Sequence, residues 1–138
     1  MPHAGQEIHG QHGFKLRFVQ TAAETGGELL EMEATYAGDG PMPPEHYHPN
    51  QTERFEVLEG AVRAIIGGDE QRFEAGESFE VPQGTPHQMA ADGPTRTRWE
   101  IRPALRTAEF FEALYSGDPA SNVNLLEEFK DEFRLAGS

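Results

Sequence analysis

The chain has 138 residues, with 24 Asp and Glu against 11 Lys and Arg, and a formal net charge of −13. That length closes one hydrophobic core, and the acidic excess without a basic stripe argues against a nucleic-acid partner. With no Cys there is neither a disulfide nor a thiolate metal ligand, and no apolar run is long enough for a signal peptide or a membrane span, so a cytoplasmic protein is expected.

Residues 1–13 are polar and Gly-rich, lack periodicity and carry His3, His9 and His12. They read as a flexible arm with solvated histidines. Phe14, Leu16 and Phe18 alternate with Lys15 and Arg17, and Leu30, Met32, Ala34 and Tyr36 alternate with Glu31, Glu33 and Thr35. Both runs have the period of half-buried strands. Short strands then recur around Phe55–Leu58, Val62–Ile66, Gln71–Phe73, Phe79–Val81, His87–Ala90 and Thr95–Arg102, separated by Gly- and Pro-rich turns. This punctuation predicts an antiparallel sandwich or barrel over 14–103.

The tail, 104–138, changes to helical spacing. Thr107 is placed to cap a helix carrying Phe110, Phe111 and Leu114, with Gly117 stopping it. Ser121 or Asn122 is placed to cap a second helix in which Leu125, Leu126, Phe129 and Phe133 recur on one face. Those apolar faces require the barrel or a partner to cover them.

Four residues carry the chemistry. On a strand, His46 and His48 share a face while Tyr47 points away. Pro49-Asn50-Gln51-Thr52 is turn-forming, so the chain can double back and bring Glu53 to the same side. His87 follows a second turn, Pro82-Gln83-Gly84-Thr85-Pro86, which excludes helix there. A lone imidazole is ordinarily a surface or hydrogen-bonded group. Three neutral nitrogens and one carboxylate together are a borderline donor set, suited to one divalent Fe, Mn, Ni, Cu or Zn and poorly suited to Ca or Mg.

The frame around the four is specific: Gly40, five residues, His46, one, His48, four, Glu53, six, Gly60; then Gly76, five, Pro82, one, Gly84, two, His87. It resembles the two motifs of the cupin superfamily, Gly-x5-His-x-His-x4-Glu-x6-Gly and Gly-x5-Pro-x-Gly-x2-His-x3-Asn, and departs only at the last position, which is Ala91. The resemblance is to small single-domain cupins. It implies an all-β double-stranded β-helix, or jelly roll, followed here by C-terminal helices. It also implies metal ligation by His46, His48, Glu53 and His87, and a homodimer.

Four protein ligands leave two positions free on an octahedral ion, where a small organic molecule or O2 can bind. Phe55, Val57, Met89, Trp99 and Ile101 are expected to wall an apolar cavity around it. The expected function is a metalloenzyme acting on a small organic molecule, first as a dioxygenase. The alternatives are a redox-neutral isomerase, cyclase or lyase, and a non-catalytic binding module. Glu53 and Tyr36 are the residues nominated for catalysis, Tyr36 as an acid or base.

Overall fold

The computed structural model describes residues 1–118 and 124–137. Among the described residues eleven strands and three helices follow in chain order: β1 Glu7–His9, β2 Lys15–Gln20, α1 Ala22–Thr25, β3 Leu30–Tyr36, β4 His46–Tyr47, β5 Thr52–Glu59, β6 Ala61–Ile66, β7 Asp69–Glu74, β8 Ser78–Val81, β9 His87–Ala91, β10 Thr95–Arg102, α2 Thr107–Leu114, α3 Leu125–Glu128 and β11 Arg134–Leu135. They form two antiparallel sheets, ordered β1-β2-β3-β10-β5-β8 and β11-β4-β9-β6-β7. This is the expected all-β jelly roll. Among the described residues no helix is long and apolar enough to cross a membrane.

Alternation decides which side of each strand is inside. Leu30, Met32 and Ala34 of β3, Phe55 and Val57 of β5, and Ile101 of β10 are all buried. The intervening β3 carboxylates lie on the other face of the sheet and meet arginines, the buried Glu31 with Arg98 at 2.8 Å and Glu33 with Arg17 at 3.2 Å. Gly67 and Gly68, both at positive φ, close the β6–β7 hairpin, where Ile66 pairs with Asp69. That backbone is the one two-residue hairpins require. At Gly60, also at positive φ, a side chain would strike the Pro94 carbonyl, so the β5–β6 turn can lie against the start of β10 only with glycine there.

The ends differ from the sequence reading. Glu7–His9, expected within a free arm, pairs with β2 as an edge strand, because backbone pairing needs no hydrophobic periodicity. Arg106, not Thr107, is the cap of α2. Thr107 is its buried first residue and accepts a hydrogen bond from Gln51. Phe110 and Phe111 are buried as expected, at about 1.5–3 kcal/mol each, whereas Leu114 and Leu126 are exposed at 39% and 46%. Ser121 and Asn122 lie outside the described residues. The second helix is a single turn, α3, entered from Asn124 in the left-handed conformation. Phe133 lies beyond that helix, where the chain returns to the second sheet as β11.

Candidate metal centre

His46 and His87 are cross-strand partners, the one bridged pair between β4 and β9, with ring centroids 4.4 Å apart. His48 follows β4 and turns to the same side, 5.2 Å from the His87 ring. Glu53 arrives differently from the sequence expectation. Pro49-Asn50-Gln51 does not fold the chain back within one sheet; it carries it from the second sheet to β5 in the first. Gln51 anchors that crossing. The two N–H groups of its buried amide are shared among three acceptors, the carbonyls of Pro103 and Ala104 and Thr107 Oγ1, at 2.8–3.1 Å. Glu53 therefore faces the histidines from the opposite sheet, 1% exposed.

Each imidazole has its Nδ1 against a backbone carbonyl: His46 on Pro44 at 3.0 Å, His48 on Glu132 at 2.8 Å, His87 on Thr85 at 2.9 Å. The Nδ1–H donates in each case, which leaves the Nε2 lone pairs free for a common point. The three rings offer ligand nitrogens within 4.8 Å of one another, the spacing of a metal-binding cluster.

Glu53 Oε1 stands 3.0 Å from His48 Nε2 and 2.9 Å from His87 Nε2, and Glu53 Oε2 accepts a 2.8 Å hydrogen bond from Trp99 Nε1. Both His48 Nε2 and Glu53 Oε1 are buried without a hydrogen-bond partner. A lone pair pointed at a carboxylate oxygen is repulsive unless positive charge lies between them. A metal ion satisfies both orphaned atoms at once, and adjacent donors on a six-coordinate ion with bonds of about 2.1 Å lie about 3 Å apart. The residues present fit the metal that the donor chemistry implies.

The electrostatics agree. Burial alone would raise the Glu53 pKa, but His48 and then His87 outweigh it and hold the carboxyl well below the usual range. Burial likewise opposes a charge on His48, yet Glu53, helped by the Glu132 carbonyl, raises its proton affinity. His46 moves the other way, to about 4, mainly through burial, with His87 and His48 adding to it against the Pro44 carbonyl. His46 is thus a neutral imidazole across the physiological range, as a metal ligand must be.

Among the expected wall residues, Trp99 alone is seen to touch the cluster, through its bond to Glu53. Phe55 is stacked between Phe79 and Trp99 at 5.0 and 5.3 Å, Ile101 belongs to the hydrophobic core, and Val57 is fully buried. These three are packed interior residues. Met89 pairs across to Ala64. Tyr36, at the end of β3, packs on Phe14 at 5.3 Å. Burial, then the neighbouring Tyr115 and Glu53, hold its phenol protonated far above the ordinary range. Two surface concavities, of about 370 and 560 Å3, lie around Arg72 and Asp92 and between the N-terminus and α2, away from the histidines. Sequence reasoning placed Phe133 on an apolar face to be covered but did not bring the tail to the histidines. Besides the Glu132 carbonyl, the Phe133 ring stacks on His46 at 4.8 Å. Nothing in the residue spacing pointed to either.

The family model for the cupin domain matches residues 32–101, just over half of the chain. The chain belongs to the cupin family. It is 26% identical over 95 residues to the tetracenomycin polyketide synthase protein TcmJ of Streptomyces glaucescens; the match covers 67% of this chain and 64% of TcmJ. Among solved structures it is similar to an RmlC-like cupin from Shewanella frigidimarina (TM-score 0.65, 18% identity, 75% of this chain and 88% of that one). KdgF from Halomonas sp. is also similar (TM-score 0.61, 18% identity, 71% and 86%). So is Pac13 of Streptomyces, described as a nucleoside dehydratase (TM-score 0.60, 12% identity, 78% and 86%). At these identities the structures share the fold.

Proposed function

We propose that this cupin is a mononuclear metalloenzyme in which His46, His48, His87 and Glu53 hold one divalent transition metal and a small oxygen-bearing organic molecule is the substrate. The clustering of the His46, His48 and His87 ligand nitrogens, with Glu53 Oε1 about 3 Å from the Nε2 atoms of His48 and His87 and both His48 Nε2 and Glu53 Oε1 orphaned, carries this reading. When bound, the ion supplies Lewis acidity toward a carbonyl or enolate oxygen. Glu53 supplies the negative charge that offsets the cation, and Trp99 keeps its second oxygen occupied. Tyr36, whose phenol burial holds protonated, is the residue nominated for proton transfer, and its role is tested by substitution.

Redox-neutral chemistry, a dehydration, cyclisation or isomerisation, is the reading favoured, because a Lewis-acid ion needs no oxidant for it. The description of Pac13 as a nucleoside dehydratase points the same way. The dioxygenase expected from the sequence is the second reading, supported by how well three imidazoles and a carboxylate suit Fe(II). A cytoplasmic homodimer completes the proposal; light scattering that returns the mass of one chain removes the dimer.

The test begins with elemental analysis of protein purified without chelator or tag, beside the His46→Ala/His48→Ala double variant. Near-stoichiometric metal lost in the variant is expected. The loaded protein is then assayed on β-dicarbonyl and nucleoside substrates under nitrogen and in air. Turnover under nitrogen supports the redox-neutral reading, and turnover only with O2 uptake replaces it with the dioxygenase. Bound metal without turnover in either atmosphere leaves a binding module.

A further inference from the structure

The ligand-bearing strand β4 is two residues long and has one bridged pair to β9, and the barrel adds hydrogen bonds at its flanks, from Gly84 N–H to the His48 carbonyl at 2.9 Å and from Gln88 Nε2 to the Pro43 carbonyl at 2.8 Å. Its other edge is held by the C-terminus. Arg134 and Leu135 of β11 pair with Tyr47 and His46, and the Ala136 N–H donates to the Glu45 carbonyl at 2.9 Å. Just beyond β4, Asn50 Nδ2 donates to the Asp131 carbonyl at 3.0 Å.

Two of these tail residues reach the imidazoles directly. The Glu132 carbonyl takes the His48 Nδ1–H at 2.8 Å and so selects the tautomer that leaves Nε2 free. Phe133 lies nearly parallel to His46, with centroids 4.8 Å apart and planes at 22°, and meets the His48 ring edge-on at 6.0 Å. Phe133 is itself backed by Phe110 of α2 at 5.0 Å. The tail is anchored to the body through Arg106, whose Nη2 donates to the Glu128 carbonyl and whose guanidinium lies over the Phe129 ring at 4.7 Å.

We propose that Asp131–Leu135 is a clamp that completes the metal site, in which the Glu132 carbonyl and the Phe133 ring position His48 and His46 for the ion. The inference rests on the metal reading above. Removing a group that orients a ligating histidine typically costs about 10–100-fold in metal affinity. Whatever binds the clamped state better than the released one must also stabilise the clamp, so metal binding and tail docking are linked.

The test uses the full-length protein with Co(II) and Zn(II). Co(II) affinity is measured by competition with a chromophoric chelator for wild type, Phe133→Ala and Phe133→Leu. Amide exchange of residues 131–136 is followed in wild type with and without Zn(II). The leucine variant keeps apolar bulk against Phe110 but loses the flat face on His46. Both variants are expected to lose affinity by about tenfold, with altered Co(II) absorption bands, and Zn(II) is expected to slow exchange across 131–136 in the wild type. Wild-type affinity and spectrum in both variants overturn the clamp while leaving the metal site standing, as does Zn(II) protection of β9 that spares 131–136. No Co(II) or Zn(II) binding by the wild type overturns the metal reading and the clamp with it.

Discussion

Trp99 Nε1 donates a 2.8 Å hydrogen bond to Glu53 Oε2, which leaves Oε1 alone facing His48 and His87. Trp99 and Glu53 reach each other diagonally: Trp99 pairs across to Phe55, and Glu53 to Ile101, on the shared inner face of β10 and β5. The indole thus fixes which oxygen is offered to the histidines. Trp99→Phe keeps a ring to stack between Phe55 and Phe111 but removes the donor. Metal affinity is expected to fall by about tenfold, with little change in the melting temperature of the metal-free protein. Chelator competition and a thermal melt on the same sample check both; unaltered affinity would show that Glu53 is held by its burial alone.

Acid acts on the metal-free site in opposite directions. His46 is lowered from 6.5 to about 4, so the unfolded chain binds its proton first, and the stability it contributes is full above 6.5 and lost as pH falls toward 4. Glu53, also depressed, holds its contribution above the ordinary carboxylate value and loses it only below. His48 is raised, so its contribution is full below 6.5 and is lost as pH rises through its folded value. In chelator, melting temperature between pH 6.5 and 4 is therefore expected to fall less in His46→Gln than in wild type. Parallel curves for the two proteins would contradict the assignment.

The same shifts order the loss of metal on acidification. Protons compete first at His48, whose proton affinity is raised, and His46 stays neutral until about 4. Zn(II) affinity is expected to weaken already at pH values above the ordinary imidazole range, in proportion to protonation at one site. A dialysis series analysed for zinc measures this. Full zinc content well below pH 6 would count against histidine ligation.

Much of this centre was legible because its spacing is local. His46 and His48 share a face by strand periodicity, and the Pro-Gly turn before His87 sets it on β9. Glu53 was legible as a partner but not as a residue of the opposite sheet, since Pro49-Asn50-Gln51 reads equally well as a hairpin turn or a crossing. The buried amide of Gln51, which decides between them, finds its acceptors more than fifty residues away. Phe133 was misplaced for a related reason. Its spacing from Leu125 and Phe129 fits a helix, but α3 stops at Glu128, and pairing of β11 with β4 moves the ring onto His46. Periodicity records which residues are buried, not against what.

Gln51 supplies a stability test independent of metal. Its side-chain nitrogen serves three acceptors near the start of α2, two of them in buried surroundings. Gln51→Leu removes the donor and leaves the Pro103 and Ala104 carbonyls and the Thr107 hydroxyl to find other partners. Urea unfolding is expected to show a loss of about 1–3 kcal/mol. Because the same residue sets the crossing that delivers Glu53, metal affinity is expected to fall in the folded variant as well.

Tyr36 separates a proton donor from a packing residue. Its ring is supported by Phe14, and burial, with the Glu53 carboxylate adding to it, keeps the hydroxyl protonated. Tyr36→Phe retains the ring contact and deletes only the acidic proton. If that proton is delivered in the rate-limiting step, kcat falls by about a hundredfold, while metal content and melting temperature stay at wild-type values. A solvent deuterium isotope effect present in wild type and lost in Tyr36→Phe would place the proton transfer at this phenol. Unchanged kcat would return Tyr36 to the aromatic packing it shares with Phe14 and leave proton transfer to Glu53 or to water.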